Sequence, residues 1–181
     1  AVGVTSITVG TGVTIGDGKI TCNGSAITNL ATAHLPAGTV LQVLETRLDA
    51  GFSTQSTSFV DVTSLSKSIT MTSASNKVLI EAPLWASMSH TSSYIYLAIY
   101  KGDTQLQSTV SMPGESNMFA NQGKWTFMSY IDTPGAGTHT YKIMCKSETS
   151  SKTAKISIGG NQSSHDSEKA DMVLRLTEVA A

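Results

Sequence analysis

The side chains that most often carry out chemistry are few and scattered in this sequence. Its histidines are His34, His90, His139 and His165. None of them shows the HxH or HExxH spacing that places two imidazoles on one metal ion. Only His165 has other candidate ligands close by, Asp166 and Glu168, within the polar stretch GGNQSSHDSEKAD. Such a cluster would hold a calcium or zinc ion weakly, and solvated loop charge is the simpler interpretation, so we predict no metal site.

No enzyme motif is present either. Serine and threonine make up roughly a quarter of the chain, so a Ser/His/Asp set is easy to assemble on paper and carries little information. There is no GxSxG nucleophile elbow, and GTGVTIGDG lacks the strand-to-helix context in which glycines bind phosphate. Two of the 13 acidic residues would suffice for a glycosidase, but we predict that Trp85 and Trp125 are core residues and not sugar platforms. We therefore expect no catalysis and no cofactor.

The two cysteines, Cys22 and Cys145, are far apart in the sequence and form no CxxC or Cys/His pattern. A zinc site is therefore improbable. The two thiols would pair only in an oxidising compartment. Two separate buried thiols are the simpler interpretation.

Composition argues against nucleic acid and membrane as partners. The chain of 181 residues has a formal net charge of -1, and its 12 basic residues are scattered, so no basic stripe offers a footprint for phosphates. No run of about eighteen apolar residues could cross a bilayer, and the first residues lack the basic and apolar regions of a signal peptide. We expect a soluble, unsecreted chain, although a signal that had been removed would leave the same trace.

Residues 1–36 form an N-terminal lead of unusual composition. Its first half, VTSITVGTGVTIGDGKI, alternates β-branched residues with glycines, which favours short strands and tight turns over a helix. A segment this short and this poor in large apolar side chains is unable to build its own core. It must therefore lie on its own globular domain, on other copies of the chain or on a partner. The apolar residues available for that contact are Ile7, Val9, Val13, Ile15, Ile20, Ile27 and Leu30.

After the turn predicted at Pro36-Ala-Gly38, the sequence changes to longer strands. We predict strands at residues 39–48, 66–72, 76–88, 93–101, 124–132, 138–147, 154–159 and 171–179. Their connections carry turn-forming residues, and no helical pattern intervenes. Regularly spaced strands of this kind indicate an all-β fold, an antiparallel β-sandwich or jelly roll. It would occupy residues 37–181, following the short Gly-rich β arm.

The alternation of residues in the stretch SYIYLAIYK predicts which of its side chains face the core. Alternation places Ile95, Leu97 and Ile99 on the inner face of a strand. Tyr94, Tyr96 and Tyr100 then share the outer face, where a row of three aromatic rings requires cover. Tyrosine is common in protein interfaces, so we predict a self-association surface here. Cover by a loop such as 111–123, or a sheet buried on both faces, would explain the same pattern.

The segment GSAITNLATAHLPAGTVLQVLET, residues 24–46, resembles one found in virion proteins of tailed phages, where a G-S-x-(I/L)-T-N-L turn is followed by LPAGTVLQV and a β-sandwich. The remainder is similar to the C-terminal domain of the same family, a jelly roll built like tumour-necrosis-factor-like trimers. The resemblance covers most of the chain from about Gly24, and the segment occurs on both capsid decoration proteins and tail fibres.

This resemblance implies a homotrimer with a structural or host-contacting role and without catalysis. The leading hypothesis is a capsid decoration (cement) protein on the virion surface, whose lead contacts the major capsid protein while Tyr94, Tyr96 and Tyr100 form the trimer interface. The chain is short for a tail fibre, which needs a docking domain and a shaft. The alternative is nevertheless a tail-fibre tip that binds a host surface glycan through loops 111–123 and 159–170. An enzyme that degrades surface polysaccharide is a third, weaker hypothesis.

Overall fold

The computed structural model describes residues 35–90, 93–111, 123–156 and 172–181, all of which belong to one compact unit spanning Thr32–Ala181. Within these ranges the regular structure consists entirely of β-strands, which confirms the all-β prediction. The strands are β1 Val40–Arg47, β2 Phe52–Thr54, β3 Val60–Met71, β4 Lys77–Met88, β5 Ile95–Lys101, β6 Thr104–Ser111, β7 Gly123–Asp132, β8 Gly137–Ser147, β9 Ala154–Ile156 and β10 Val173–Val179.

The strands form two antiparallel sheets. Sheet A has the order β1-β10-β4-β9-β2, and β7 pairs with β4 as well. Because β7 and β10 pair with overlapping parts of β4, they must lie on its opposite edges. Sheet B has the order β3-β8-β5-β6. Neighbours that are distant in sequence, such as β1 with β10 and β3 with β8, are typical of the Greek-key connections in a jelly roll.

The core lies between the sheets and is made by alternate residues of each strand. Ile80 and Leu84 of sheet A face Ile99 and Ile143 of sheet B, and all four are fully buried. The same alternation buries Ile95 and Leu97, so the predicted inner side of β5 is confirmed. Cys145 is a free thiol in this core, and burial raises its pKa to about 12.

The turn predicted at Pro36-Ala-Gly38 is confirmed. The Thr39 amide donates to the Pro36 carbonyl at 3.1 Å, and Gly38 adopts φ +87°, a conformation that glycine reaches without strain. Gly38 and Thr39 also exchange 2.9 Å backbone hydrogen bonds with Ala180. The turn therefore belongs structurally with the strands that follow it. The domain boundary at residue 36 stays a prediction, because residues 1–34 lie outside the described ranges.

One end of the sandwich is held by a buried carboxylate. Glu178 is fully buried and accepts hydrogen bonds from Gln42 Nε2 at 2.6 Å and from Asn76 Nδ2 at 2.7 Å. The amide and hydroxyl of Thr72 also donate to it, both at 2.8 Å. Burial alone would raise the pKa of Glu178, but these hydrogen bonds hold it below its ordinary value. Because Thr72 directly follows β3, the carboxylate joins sheet A to sheet B.

A second link between the sheets lies at the end of β7. Asp132 Oδ2 accepts a 2.8 Å hydrogen bond from the Tyr141 hydroxyl and lies 2.9 Å from Lys101 Nζ. Burial would raise the pKa of Asp132, but these two donors lower it. Burial, followed by the hydrogen bond to this carboxylate, raises the pKa of Tyr141. The link fixes β7 of sheet A against β5 and β8 of sheet B.

Several predicted strand limits were incomplete. β3 begins at Val60, six residues before the prediction, and contains a bulge between Asp61 and Ser66. In this bulge Ser64 has φ +72°, and two exposed residues separate the buried Val62 and Leu65. The strands β2 and β6 had not been predicted. The end of the predicted strand 154–159 lies outside the described ranges.

Candidate functional site

In the described part of the chain, the candidate catalytic and metal-binding side chains do not lie together. His90 Nδ1 lies 2.8 Å from Ser89 Oγ, and His139 Nε2 lies 3.3 Å from the Gly135 carbonyl. Among the described residues no three His, Cys, Asp or Glu side chains are placed to hold a metal ion, and no helix there is long and apolar enough to cross a membrane. The predicted loop cluster His165, Asp166 and Glu168 falls outside those residues, as do His34 and Cys22.

The most unusual surface is the outward side of sheet A, formed by β1, β10, β4 and β7, which we call the A face. Its side chains form rows across the strands, because partners in register project to the same side of a sheet. One row is mainly apolar and contains Val43, Leu79 and Ile131 together with the buried Thr177. The next is polar and contains Glu45, Arg175, Glu81 and Ser129. Beyond it, Pro83 pairs with Phe127 and Trp85 with Trp125.

The apolar rows of the A face are open to solvent. Exposed fractions are 50% for Trp125, 63% for Phe127 and 62% for Ile131 on β7, and 50% for Val43 and 55% for Val40 on β1. These are the large exposed apolar side chains of the described residues, and all lie on strands of sheet A. Their concentration on one sheet is the feature that an association surface produces.

The predicted burial of both tryptophans is wrong for Trp125. Trp85 is partly buried and packs against the core, whereas Trp125 is half exposed. The reason is the direction of β7, whose Met128 faces inward at 2% exposure and thereby turns Trp125 and Phe127 outward. Apolar residues occupy both sides of β7, so its sequence did not reveal which side enters the core.

Trp85 and Trp125 pack against each other. Their rings meet edge to face, with centroids 5.6 Å apart and an interplanar angle of 78°, a preferred geometry for aromatic pairs. The Trp85 indole lies over the backbone of Gly123, where a Cβ atom would collide with the ring. Gly123 thus allows the close approach that sets the position of Trp85.

The polar row of the A face is partly paired within the chain. Arg175 Nε lies 2.7 Å from Glu45 Oε1, and Arg47 Nη2 lies 4.0 Å from Glu45 Oε2. With Glu81, this part of the face carries two carboxylates and two guanidinium groups. Lys77, exposed at the start of β4 and paired in register with Val179, adds one positive charge to the A face. The net charge of the face is therefore small, and it attracts neither strongly acidic nor strongly basic partners.

The outward side of sheet B, which we call the B face, carries the predicted tyrosine row. Tyr94, Tyr96 and Tyr100 are each partly buried. Lys146 Nζ lies 4.9 Å from the ring centroid of Tyr96 and 5.0 Å from that of Phe59, within the range of a cation–π contact. The rings of Phe59 and Tyr100 also meet edge to face at 6.0 Å. The chain itself thus supplies part of the cover that the tyrosines require.

The remaining predicted contact residues are not described. The lead residues Ile7, Val9, Val13, Ile15, Ile20, Ile27 and Leu30 all lie outside the described ranges. The same holds for most of loops 111–123 and 159–170. The contact of the lead with a capsid and the role of Tyr94, Tyr96 and Tyr100 in a trimer stay predictions.

No protein-family profile matches the chain, and no curated protein matches it significantly. Solved structures that match include the infectious bursal disease virus VP2 subviral particle, 14% identical with a TM-score of 0.41 over 77% of this chain and 37% of that chain. A structure of the infectious bursal disease virus Gt strain is 13% identical, with a TM-score of 0.38 over 77% of this chain and 38% of that chain. The chain thus spans well under half the length of those viral chains.

Proposed function

We propose that this chain is a structural component of a virus particle, a capsid decoration protein that works by association and not by catalysis. In this proposal three copies join through their β-sandwiches, and the lead of each copy, residues 1–36, contacts the major capsid protein. The observation that carries the proposal is the open A face, with Trp125, Phe127 and Ile131 each at least half exposed on one strand of the sheet.

The resemblance of residues 24–46 to phage virion proteins gives the association its setting. Its second half is the turn at Pro36 followed by β1, the first strand of the compact unit. A lead that is too small to fold alone and a domain with an open face suit a protein that bridges other molecules. Joining three leads in one assembly multiplies weak contacts through effective concentration, so modest capsid contacts would suffice to strengthen a shell.

The first test is the number of copies in purified particles. Hundreds of copies, seen on the shell by electron microscopy, would support a decoration protein. A few to a few tens of copies on a tail would contradict it and favour the alternative, a tail-fibre tip. Binding of the purified chain to host cells or their glycans would favour the same alternative, and release of reducing sugar from host polysaccharide would show an enzyme.

The second test concerns the lead. The truncation should remove residues 1–34 and keep the turn at Pro36, because Gly38 and Thr39 are bonded to Ala180. We expect the truncated chain to keep the oligomeric state of the full chain and to lose binding to undecorated capsids in co-sedimentation. Unchanged capsid occupancy would contradict the assignment of the lead as the attachment device.

A further inference from the structure

We infer that the A face is the surface through which copies of this chain bind one another, and that these copies cover Trp125, Phe127 and Ile131. The inference builds on the proposed function, which supplies the expected number of three copies. It assigns the contact to sheet A, whereas the sequence pattern had pointed to Tyr94, Tyr96 and Tyr100 on sheet B.

The open area is large enough to matter. A large aromatic side chain buries about 150–250 Å², so the exposed parts of Trp125, Phe127, Ile131 and Val43 amount to roughly 400 Å². A stable interface takes about 800 Å² from each partner. These four side chains alone therefore supply about half of what one copy must contribute, and the rest of the A face lies around them.

The order of the rows makes the A face complementary to itself. The polar row of Glu45, Arg175 and Glu81 lies between the apolar row of Ile131 and that of Phe127, with rows about 7 Å apart along the strands. Rotation about an axis parallel to the strands brings each row against the same row of another copy. Three copies can share such an axis, which places apolar rows on apolar rows.

The charged residues of the A face also favour another copy of the chain as the partner. The two guanidinium groups of Arg47 and Arg175 balance the carboxylates of Glu45 and Glu81, and Arg175 is already bonded to Glu45. A second A face therefore meets only the like charge of Lys77, which lies at the start of β4 on each copy. The polar row can exchange ion pairs between copies without leaving one sign unpaired, a condition for burying charge in an interface.

The B face lacks these properties. Its rings are partly covered by Lys146 and by their own edge-to-face contacts. Lys142 on the same strand is paired with Asp61 at 3.1 Å. Covering the B face with another copy would enclose the Lys146 ammonium. On the A face Arg175 and Arg47 already lie beside Glu45, and the carboxylate of Glu81 can pair with a guanidinium group of the other copy.

The decisive experiment compares two matched double variants of the full chain. The A-face variant is Phe127→Ser with Ile131→Ser, and the B-face variant is Tyr96→Ser with Tyr100→Ser. Each exchanges two large side chains of one outer strand face for hydroxyls. Phe127 and Ile131 are more than 60% exposed, so the A-face variant should fold, and far-UV circular dichroism with thermal unfolding verifies this.

Sedimentation velocity over a range of concentrations measures the assembly. We expect the wild type and the B-face variant to sediment at three times the 19.0 kDa chain mass. Each large side chain at an interface centre contributes on the order of a 30-fold change in the dissociation constant. The A-face variant should therefore dissociate to a 19.0 kDa monomer at concentrations where the wild type is assembled.

Tryptophan emission provides an independent measurement, because both tryptophans of the chain, Trp85 and Trp125, lie on the A face. Neither is altered in the A-face variant. We expect the wild-type emission to shift to longer wavelength on dilution, in step with the loss of sedimenting mass. At every concentration, the A-face variant should emit at the longer wavelength that the wild type reaches when it is fully dissociated.

Three outcomes would overturn the inference: an A-face variant that keeps the wild-type mass, a B-face variant that alone becomes monomeric, or a monomeric wild type. In the last case, an emission that shifts only when residues 1–34 are removed would identify the lead as the cover. Failure of the proposed function looks different, because a chain that assembles through the A face and does not bind capsids contradicts the virion role alone.

Discussion

The two outer faces of the sandwich both carry aromatic rings, but the chain covers these rings to different extents. The A face has Trp85, Trp125 and Phe127, and two of these are at least half exposed. The B face has Phe59, Tyr94, Tyr96 and Tyr100, all partly buried. Lys146 lies over Phe59 and Tyr96, and the rings of Phe59 and Tyr100 meet edge to face. A count of rings along a strand therefore does not locate an association surface. What matters is whether the chain supplies its own cover.

The largest loss of stability should follow from a change at Glu178, whose carboxylate joins the two sheets. This link keeps the A face and the B face on opposite sides of one sandwich. In Glu178→Gln the new amide group faces the donors of Thr72 and Asn76, and a buried charge-assisted hydrogen bond is lost. We expect a decrease of about 3 kcal/mol in the free energy of unfolding, measured by urea denaturation at neutral pH. A variant within about 0.5 kcal/mol of the wild type would show that the clamp is not needed.

The pH dependence tests the same group. Because hydrogen bonds hold the pKa of Glu178 below its ordinary value, its stabilising contribution is present above the unfolded-state pKa and is lost as pH falls through the folded-state pKa. Asp132 adds a change of the same sign. Between pH 7 and pH 3 the Glu178→Gln variant should lose less stability than the wild type, and equal losses would contradict the lowered pKa.

The next largest loss of stability should follow from a change at Gly123, which positions Trp85 on the A face. A methyl group at residue 123 would collide with the Trp85 indole, so Gly123→Ala must displace the ring or the strand. We expect a loss of about 2 kcal/mol, typical of overpacking, together with a changed tryptophan emission. The control is Gly51→Ala, where the added Cβ meets only the Ile156 carbonyl at 3.8 Å. Equal behaviour of both variants would show that Gly123 does not position Trp85.

A smaller effect should follow from the link between the faces at Tyr141. Tyr141→Phe removes the hydroxyl that donates to Asp132 and leaves that carboxylate with Lys101. We expect a loss of about 1 kcal/mol with unchanged oligomeric mass, since the residue lies in the core and not on either face. A change in sedimenting mass would mean that the orientation of the sheets controls assembly.

The smallest effect should be seen on the B face. Lys146→Ala removes the ammonium that lies over Phe59 and Tyr96, and we expect a loss of about 0.7 kcal/mol in thermal or urea unfolding. Lys124→Ala, an exposed lysine on β7, serves as the matched control and should change stability by less than about 0.5 kcal/mol. If both variants behave alike, the B face does not depend on Lys146 for its cover.

The sequence predicted the fold class and the inner side of β5, because Ile95, Leu97 and Ile99 alternate with residues of another character. It did not predict the start of β3, where the bulge at Ser64 interrupts the period of two between Val62 and Leu65. β6 was missed since glutamine, serine and threonine fill most of Thr104–Ser111. Such a polar strand has no pattern to detect, and only pairing with β5 reveals it.

The candidate site was harder to predict than the fold. The tyrosine row was visible because one side of β5 is aliphatic and the other aromatic. On β7 both sides carry apolar residues, with Met128 and Tyr130 on one and Trp125 and Phe127 on the other. Which side faces the core depends on the register with β4, a long-range contact that leaves no trace in local periodicity. The rows of the A face likewise arise only from four strands paired together.

The free thiol of Cys145 can report how often the sandwich opens. With no exposed surface and a pKa raised to about 12 by burial, it offers almost no thiolate to an alkylating reagent at neutral pH. Modification at this position therefore requires β8 to detach from its neighbours. Mass spectrometry of the labelled peptide would then time the opening of the sandwich, separately from any dissociation of copies.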